Sequence, residues 1–137
     1  MIPAARFYEP KWRLDDDKSQ ERWRIGLVSG EPFAIAGMWR TWSGADGELI
    51  YVMTMISVNA DEHPILNQFH RHFDRQGNPE EKRSLVIIRP EDYDAWFNVK
   101  DPEEARQFFT LLPADELHAQ AAPKPRKARA AEPSQLF

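Results

Sequence analysis

No cysteine occurs anywhere in the 137 residues. Disulfides, zinc-thiolate sites and cysteine nucleophiles are therefore excluded for this sequence, and nothing marks the redox compartment. Long apolar runs are missing as well. No stretch reaches the roughly 18 apolar residues of a membrane span, and the opening MIPAARFYEP has neither a charged segment leading into an apolar one nor a small-residue cleavage site. The expectation is a cytoplasmic protein with no membrane partner. Signatures of nucleotide and hydrolase sites are also lacking: there is no GxGxxG, P-loop, HExxH or GxSxG, no cofactor is expected, and no internal repeat is present.

What is present suffices for one globular core. Five tryptophans and eight phenylalanines supply apolar surface, and 137 residues are too few for two comfortable domains. Charge is uneven. Residues 118–137 carry a net +3, which leaves −7 for the remainder of a chain whose net charge is −4. Affinity for phosphate comes mainly from Lys and Arg displacing counterions, so the acidic body does not resemble a stand-alone binder of nucleic acid.

Period-two patterns and turn signals predict strands at residues 22–27, 33–42, 48–57 and 84–89. The second and third read as a hairpin joined by SGADG, whose Asp46-Gly47 pair suits positive φ. Both parities are apolar, with Leu49, Tyr51 and Met53 against Ile50, Val52 and Ile56. That predicts a central position with both faces covered. Helical signals come later. Pro64 and Pro90 suit first helical turns, and Asp101-Pro102-Glu103-Glu104 combines a cap, a proline at N1 and an acidic N3 ahead of Ala105, Phe108, Phe109 and Leu112. Strands first, helices late and no repeating βαβ spacing predict an α+β fold with a mainly antiparallel sheet. After Leu117 the Pro/Ala-rich basic stretch reads as a disordered tail, giving a folded part at 1–117 and a tail at 118–137.

Candidate chemistry is sparse. Glu9 stands among aromatics in RFYEPKW. Apolar surroundings would raise its pKa and suit it to proton transfer, while the alternative is an exposed glutamate alternating with buried neighbours. His63, His70 and His72 lie near Asp61 and Asp74, a set able to ligate a metal or shuttle protons, or to be solvated or loop-capping. The polar loop from Arg71 to Arg83 is long for a compact domain, which marks it as functional or mobile.

Six segments, in order and over about a hundred residues, resemble the SOS response-associated peptidase (SRAP) family. IPAARFYEPKW is similar to that family's IPA-x-x-FYEW, and RWRIG and EPFAIAGMWRTW follow. MTMISVNADEHPILNQFH resembles a strand leading through PLM-x-x-x-H to a functional histidine, and EKRSLVII and PEDYDAWF resemble RMPVIL and PEDYDAWL. The resemblance implies a barrel-like, mainly antiparallel sheet with a few short helices. It also implies an activity: binding of single-stranded DNA and crosslinking to abasic sites, in which an N-terminal cysteine closes a thiazolidine on the ring-opened aldehyde. By the same resemblance Glu9 and His70 become the proton-transfer residues, with His72 in reserve. Ser57 matches a position near the site, and Arg71 and Arg83, flanking the polar loop, join it as expected DNA contacts.

Departures from the family pattern are equally specific. The MCGR start, the NARxE segment and the tryptophans of the DNA wedge are absent, Arg6 replaces a glycine, and Pro10-Lys11 are inserted before Trp12. The expectation is a partial domain without its N-terminal half, unable to form the thiazolidine alone, with sheet edges and apolar faces left uncovered. One alternative is a catalytically inactive DNA- or protein-binding module acting through its tail, where Gln135-Leu136-Phe137 faintly resembles a sliding-clamp-binding peptide. Another is a metal-dependent hydrolase built on the histidine cluster.

Overall fold

A computed structural model describes residues 1–13 and 20–124. They form ten strands: β1 (Ile2–Ala4), β2 (Phe7–Trp12), β3 (Gln20–Leu27), β4 (Phe33–Ile35), β5 (Gly37–Ser43), β6 (Leu49–Met55), β7 (Ser57–Asn59), β8 (Arg83–Leu85), β9 (Ile87–Ile88) and β10 (Leu117–Ala121). Every pairing between them is antiparallel, in the orders β1-β4-β9, β10-β3-β2, β5-β6 and β7-β8. Two short helices, α1 (Tyr93–Phe97) and α2 (Pro102–Arg106), come late in the chain. This is the α+β class with antiparallel sheets, and the sheets stay open instead of closing into one barrel.

The strand runs at 33–42, 48–57 and 84–89 each break at one residue. Ala36 N–H donates to Val86 O at 2.8 Å, Ile56 N–H to Ala36 O at 2.9 Å and Val86 N–H to Ile56 O at 3.0 Å. At this triangle each run changes partner, so β5 pairs with β6 while β4 pairs with β9 and β7 with β8. A one-residue switch leaves the period-two pattern intact, which is why the sequence shows unbroken strands.

Most of the core lies between the two three-stranded sheets. Phe7, Ile25, Phe33, Ile35, Phe69, Ile87 and Leu117 pack into one cluster, and Phe7 meets Phe33 edge-on with ring centroids 6.3 Å apart. A second cluster gathers Ala36, Val86 and Ile88 under Tyr93 of α1, Trp96 and Phe108. Pro90 opens a 3-10 turn that runs directly into α1. Asp101 caps α2 by accepting from the Glu103 and Glu104 N–H groups at 2.8 and 3.0 Å, and Glu104 reaches back to the Lys100 N–H at 2.9 Å. Pro64 precedes only a 3-10 turn at Leu66–Gln68.

Two expectations need correction. The hairpin β5-β6 is not central: its residues are exposed on both faces except for Gly37, which is half-buried. Its apolar residues on both parities call for cover that the described residues do not supply. Second, order continues past residue 117. Leu117 to Ala121 forms β10 along β3, with Leu117 buried and Ala119 half-buried beneath the sheet while His118 and Gln120 face out. Backbone pairing needs no large side chains, so Ala and Gln gave no signal. Residues 125–137, including Gln135-Leu136-Phe137, lie outside the described residues. No described helix is long and apolar enough to cross a membrane.

Candidate proton-transfer site and groove

Alternation along β2 decides where Glu9 points. Phe7 is buried and Tyr8 is exposed, so Glu9, two residues from Phe7, shares the inward parity opposite Trp23 of β3. Its side chain retains 17% exposure. Burial raises its pKa from 4.5 to about 7, because the charged form loses water without a full set of replacement partners.

His70 arrives by a different route. The 3-10 turn Leu66–Gln68 delivers Phe69, which is 2% exposed and packs its ring against Trp23 with centroids 6.1 Å apart. With Phe69 fixed, the chain turns sharply at His70, whose φ of 64° makes it the one described non-glycine residue in the left-handed region. The His70 N–H donates to Pro10 O at 2.8 Å, which docks this turn beside β2 one residue from Glu9. His70 Nε2 then lies 3.2 Å from Glu9 Oε2. The carboxyl and imidazole come from positions 61 residues apart in sequence, joined by backbone pairing instead of chance proximity.

Burial also lowers the pKa of His70, and the Lys82 ammonium lowers it further against an opposing pull from Glu80. Attraction at 3.2 Å favours carboxylate with imidazolium, while burial, the first cause of both shifts, works against it by raising the carboxyl and lowering the imidazole.

Lys82 is the residue that sequence reasoning missed. It is 6% exposed, and its ammonium donates to the carbonyls of His70, at 3.4 Å, and of Arg71. Asp61 Oδ1 in turn accepts the Lys82 N–H at 2.7 Å. Together they brace the strained turn from beneath. In sequence Lys82 is one charge among several in a polar loop, and only tertiary contact reveals its burial. That loop, from Arg71 to Arg83, is itself ordered: Asp74 folds it by accepting from the N–H groups of Gln76 and Asn78 at 2.8 and 2.9 Å.

Glu9 lines an open groove of about 1560 Å³ that runs along β2 and β3 and is also bordered by His72 and Lys124. Cations and rings alternate on its wall. The Lys11 ammonium sits 4.3 Å from the centre of the Trp23 ring, and the Arg22 guanidinium 3.4 Å from that of Tyr8. Both pairs are diagonal neighbours across the β2-β3 ladder, Lys11 and Trp23 on the face that carries Glu9, Tyr8 and Arg22 on the opposite face. Arg71 adds a third pair by lying 4.6 Å over Trp12. The groove is thus locally basic on a body of net negative charge, and the signal for it was readable only once the strand register was known.

The other candidates fall elsewhere. Ser57 and Arg83 lie on β7 and β8 and do not line the groove; the Arg83 guanidinium is engaged by Ser57 Oγ at 3.2 Å, Ser57 O at 2.6 Å and Glu81 at 2.6 Å. His63 has both ring nitrogens in structural use: Nδ1 accepts the N–H groups of Ile65 and Leu66 at 3.2 and 3.0 Å, and Nε2 lies 2.9 Å from Leu112 O. Among the described residues no group of three or more His, Asp or Glu side chains is arranged to hold a metal ion.

Comparison with known proteins bears on this geometry. The family model described as SOS response associated peptidase (SRAP) matches residues 1–124. Among curated proteins the chain is 31% identical over 121 residues to the abasic site processing protein YobE of Bacillus subtilis, covering 87% of this chain and 48% of that protein. It is 30% identical over 121 residues to the abasic site processing protein YoqW of the same species, covering 47% of it. The chain therefore spans about half the length of these relatives. A crystal structure of a Bordetella bronchiseptica protein superposes with a TM-score of 0.78 at 33% identity, over 90% of this chain and 54% of that one. A Bacteroides thetaiotaomicron protein shares the fold alone, with a TM-score of 0.65 at 14% identity.

Proposed function

The chain belongs to the SOS response associated peptidase (SRAP) family, and from that premise we propose that it acts on abasic sites in single-stranded DNA, contributing the proton-handling pair and part of the strand-binding groove. The observation that carries this reading is the Glu9–His70 contact of 3.2 Å at the margin of a groove rich in cations and rings. Relatives carrying the name abasic site processing protein support the substrate class.

The chemistry implied by the resemblance begins when an amine attacks the aldehyde carbon of the ring-opened deoxyribose. A proton leaves the amine, the carbinolamine hydroxyl departs as water, and an imine remains; addition of a thiol to the imine carbon closes the thiazolidine. Loss of water needs an acid, and loss of the amine proton needs a base. With its pKa near 7, Glu9 is both a competent acid and a competent base at neutral pH. His70, held neutral, is placed to take up or return that proton. This sequence has no cysteine, so it does not supply the thiol. On the face that carries Glu9, a base would stack on Trp23 while Lys11 neutralises a phosphate, a combination suited to single strands irrespective of sequence.

The test is a denaturing gel of protein with single-stranded DNA carrying one abasic site. This chain alone is expected to give no stable crosslinked band. A chimera that joins it to the part of YobE it leaves unmatched is expected to crosslink, and Glu9→Gln or His70→Ala in that chimera to slow the reaction by about 10²–10⁴-fold, the usual contribution of a positioned acid or base. A band from the chain alone, or undiminished rates in both variants, would overturn the assignment.

A further inference from the structure

Neutralising a phosphate uses the charge of Lys11 and leaves the chemistry of its amine unused. Lys11 shares the inward face of β2 with Glu9, and its cross-strand partner is Glu21. The side chain leans back along the ladder: its amine sits 4.3 Å from the centre of the Trp23 ring, and Trp23 is the residue directly opposite Glu9. Gln68 Oε1 accepts from the same amine at 2.9 Å. Lys11 also forms an isolated parallel bridge with His70, whose Nε2 lies 3.2 Å from Glu9 Oε2. The cross-strand carboxylate is engaged elsewhere, because Glu21 Oε2 accepts the Trp23 indole N–H at 2.8 Å. Among the described residues Lys11 has no ion-pair partner. Lys82, the other amine close to His70, is 6% exposed and bound to two carbonyls beneath the turn, out of reach of a ligand in the groove.

We propose that Lys11 is an imine-forming amine, whose Nζ condenses with the aldehyde of a ring-opened abasic sugar held beside Glu9 and His70, and that the imine leads to loss of the phosphate on the 3′ side. The inference rests on the abasic-site reading and adds to it a covalent step that needs no thiol. Attack requires the free amine, so the Lys11 ammonium first gives a proton to the Glu9 carboxylate. With its pKa raised to about 7, Glu9 is part carboxylate and part acid at neutral pH. The N–C bond forms as the carbonyl pair moves to oxygen, and a proton passes from nitrogen to that oxygen to give a carbinolamine. Glu9 returns its proton to the hydroxyl, which leaves as water, and the nitrogen pair closes a protonated imine. The positive nitrogen acidifies the neighbouring CH2, and His70, beside Glu9, is the base at hand to take a proton from it. The electron pair released passes through an enamine, and the next C–O bond breaks with the phosphate keeping its electrons. Water then hydrolyses the imine, which restores the amine and frees an unsaturated aldehyde without net oxidation or reduction. Trp23 gives the step its selectivity. The base of an intact nucleotide stacks on that ring and displaces the amine toward a phosphate, whereas an abasic sugar brings no base and leaves the amine where it is.

The full chain would be incubated with single-stranded DNA carrying one abasic site, with and without borohydride, which reduces an imine to a stable secondary amine. A covalent adduct is expected only with the reductant, and peptide mapping should place it on Lys11. Without reductant the imine hydrolyses, so no stable band forms and the strand is cut slowly on the 3′ side of the lesion. Lys11→Arg keeps the cation but supplies no amine. It should lower trapping at least about tenfold while affinity for intact single strands stays within about twofold, with an unchanged melting temperature. Glu9→Gln should slow trapping by about 10²-fold or more and leave Lys11 as the modified residue. An adduct that maps to Lys82, Lys124 or the N-terminal amine, or trapping that survives Lys11→Arg, overturns the role of Lys11 and leaves the abasic-site reading standing. No adduct despite tighter binding of abasic than of intact strands does the same. No adduct together with equal binding of both strands overturns the inference and that reading alike.

Discussion

The site and the hairpin are built from the same kinds of residue and end in opposite states. Along β2 and β3 each aromatic or apolar side chain has a partner inside the chain: Trp23 has Phe69 and Lys11, Tyr8 has Arg22, and Phe7 has Phe33. Along β5 and β6 the ring contacts stay within the hairpin itself, Trp39 with Tyr51 at 6.3 Å and the Arg40 guanidinium 5.4 Å from the centre of the Trp42 ring. Composition therefore does not decide whether a strand is finished; what decides it is whether another segment of polypeptide lies against it. Glu9 and His70 can be preorganised by this chain alone because the turn that carries His70 docks on β2, whereas the hairpin acquires no such neighbour among the described residues.

Substitutions on the two sides should sharpen that contrast. The largest effect is expected at Glu9. The folded state raises its pKa from 4.5 to about 7, so it binds more protons than the unfolded state between those values. Stability is unaffected below pH 4.5, falls as pH rises through that window, and stays reduced above it. Glu9→Gln removes a cost of about 3 kcal/mol at pH 8 and almost none at pH 4. Thermal melts at the two pH values should show a gain confined to the higher one, and equal gains at both would mean that the carboxyl is not desolvated. Such a gain on losing a site residue would also mark Glu9 as retained for chemistry at the expense of stability.

Lys82→Met comes next. It leaves the part-buried carbonyls of His70 and Arg71 without their donor, which should cost about 1 kcal/mol. Chemical denaturation measures the loss, and hydrogen exchange should place its local part at residues 69–72. An unchanged denaturation midpoint would show that the turn is held by the Pro10 bond alone. At the other extreme, Trp39→Ser should change the stability of the isolated chain by no more than about 0.5 kcal/mol, as at other exposed positions. A loss of several kcal/mol there would erase the distinction between the two regions.

Legibility in sequence followed the range of the interactions. The Asp101 cap, the glycine turn at Gly47 with φ 77° and the helix after Pro90 depend on neighbours within a few residues and were readable. Glu9 was half readable: its parity with Phe7 gave the direction of the side chain, while the imidazole beside it depends on a turn from a distant segment. Lys82 was not readable, because only assembled carbonyls distinguish an internal ammonium from a solvated one. β10 was missed because Ala119 and Gln120 pair through backbone atoms that every residue has. The hairpin was read correctly as a hairpin and wrongly as covered, since its pattern records an environment that the described residues leave unfilled.

The triangle of amides at Ala36, Ile56 and Val86 has a mechanical corollary. Fraying that starts at the Gly47 turn and unzips inward meets three peptide groups already committed to one another, where rungs give way to a closed loop of bonds. Strand separation has its natural stop there, so the ribbon can melt from its tip while the pairings of β4 with β9 and of β7 with β8 stay intact.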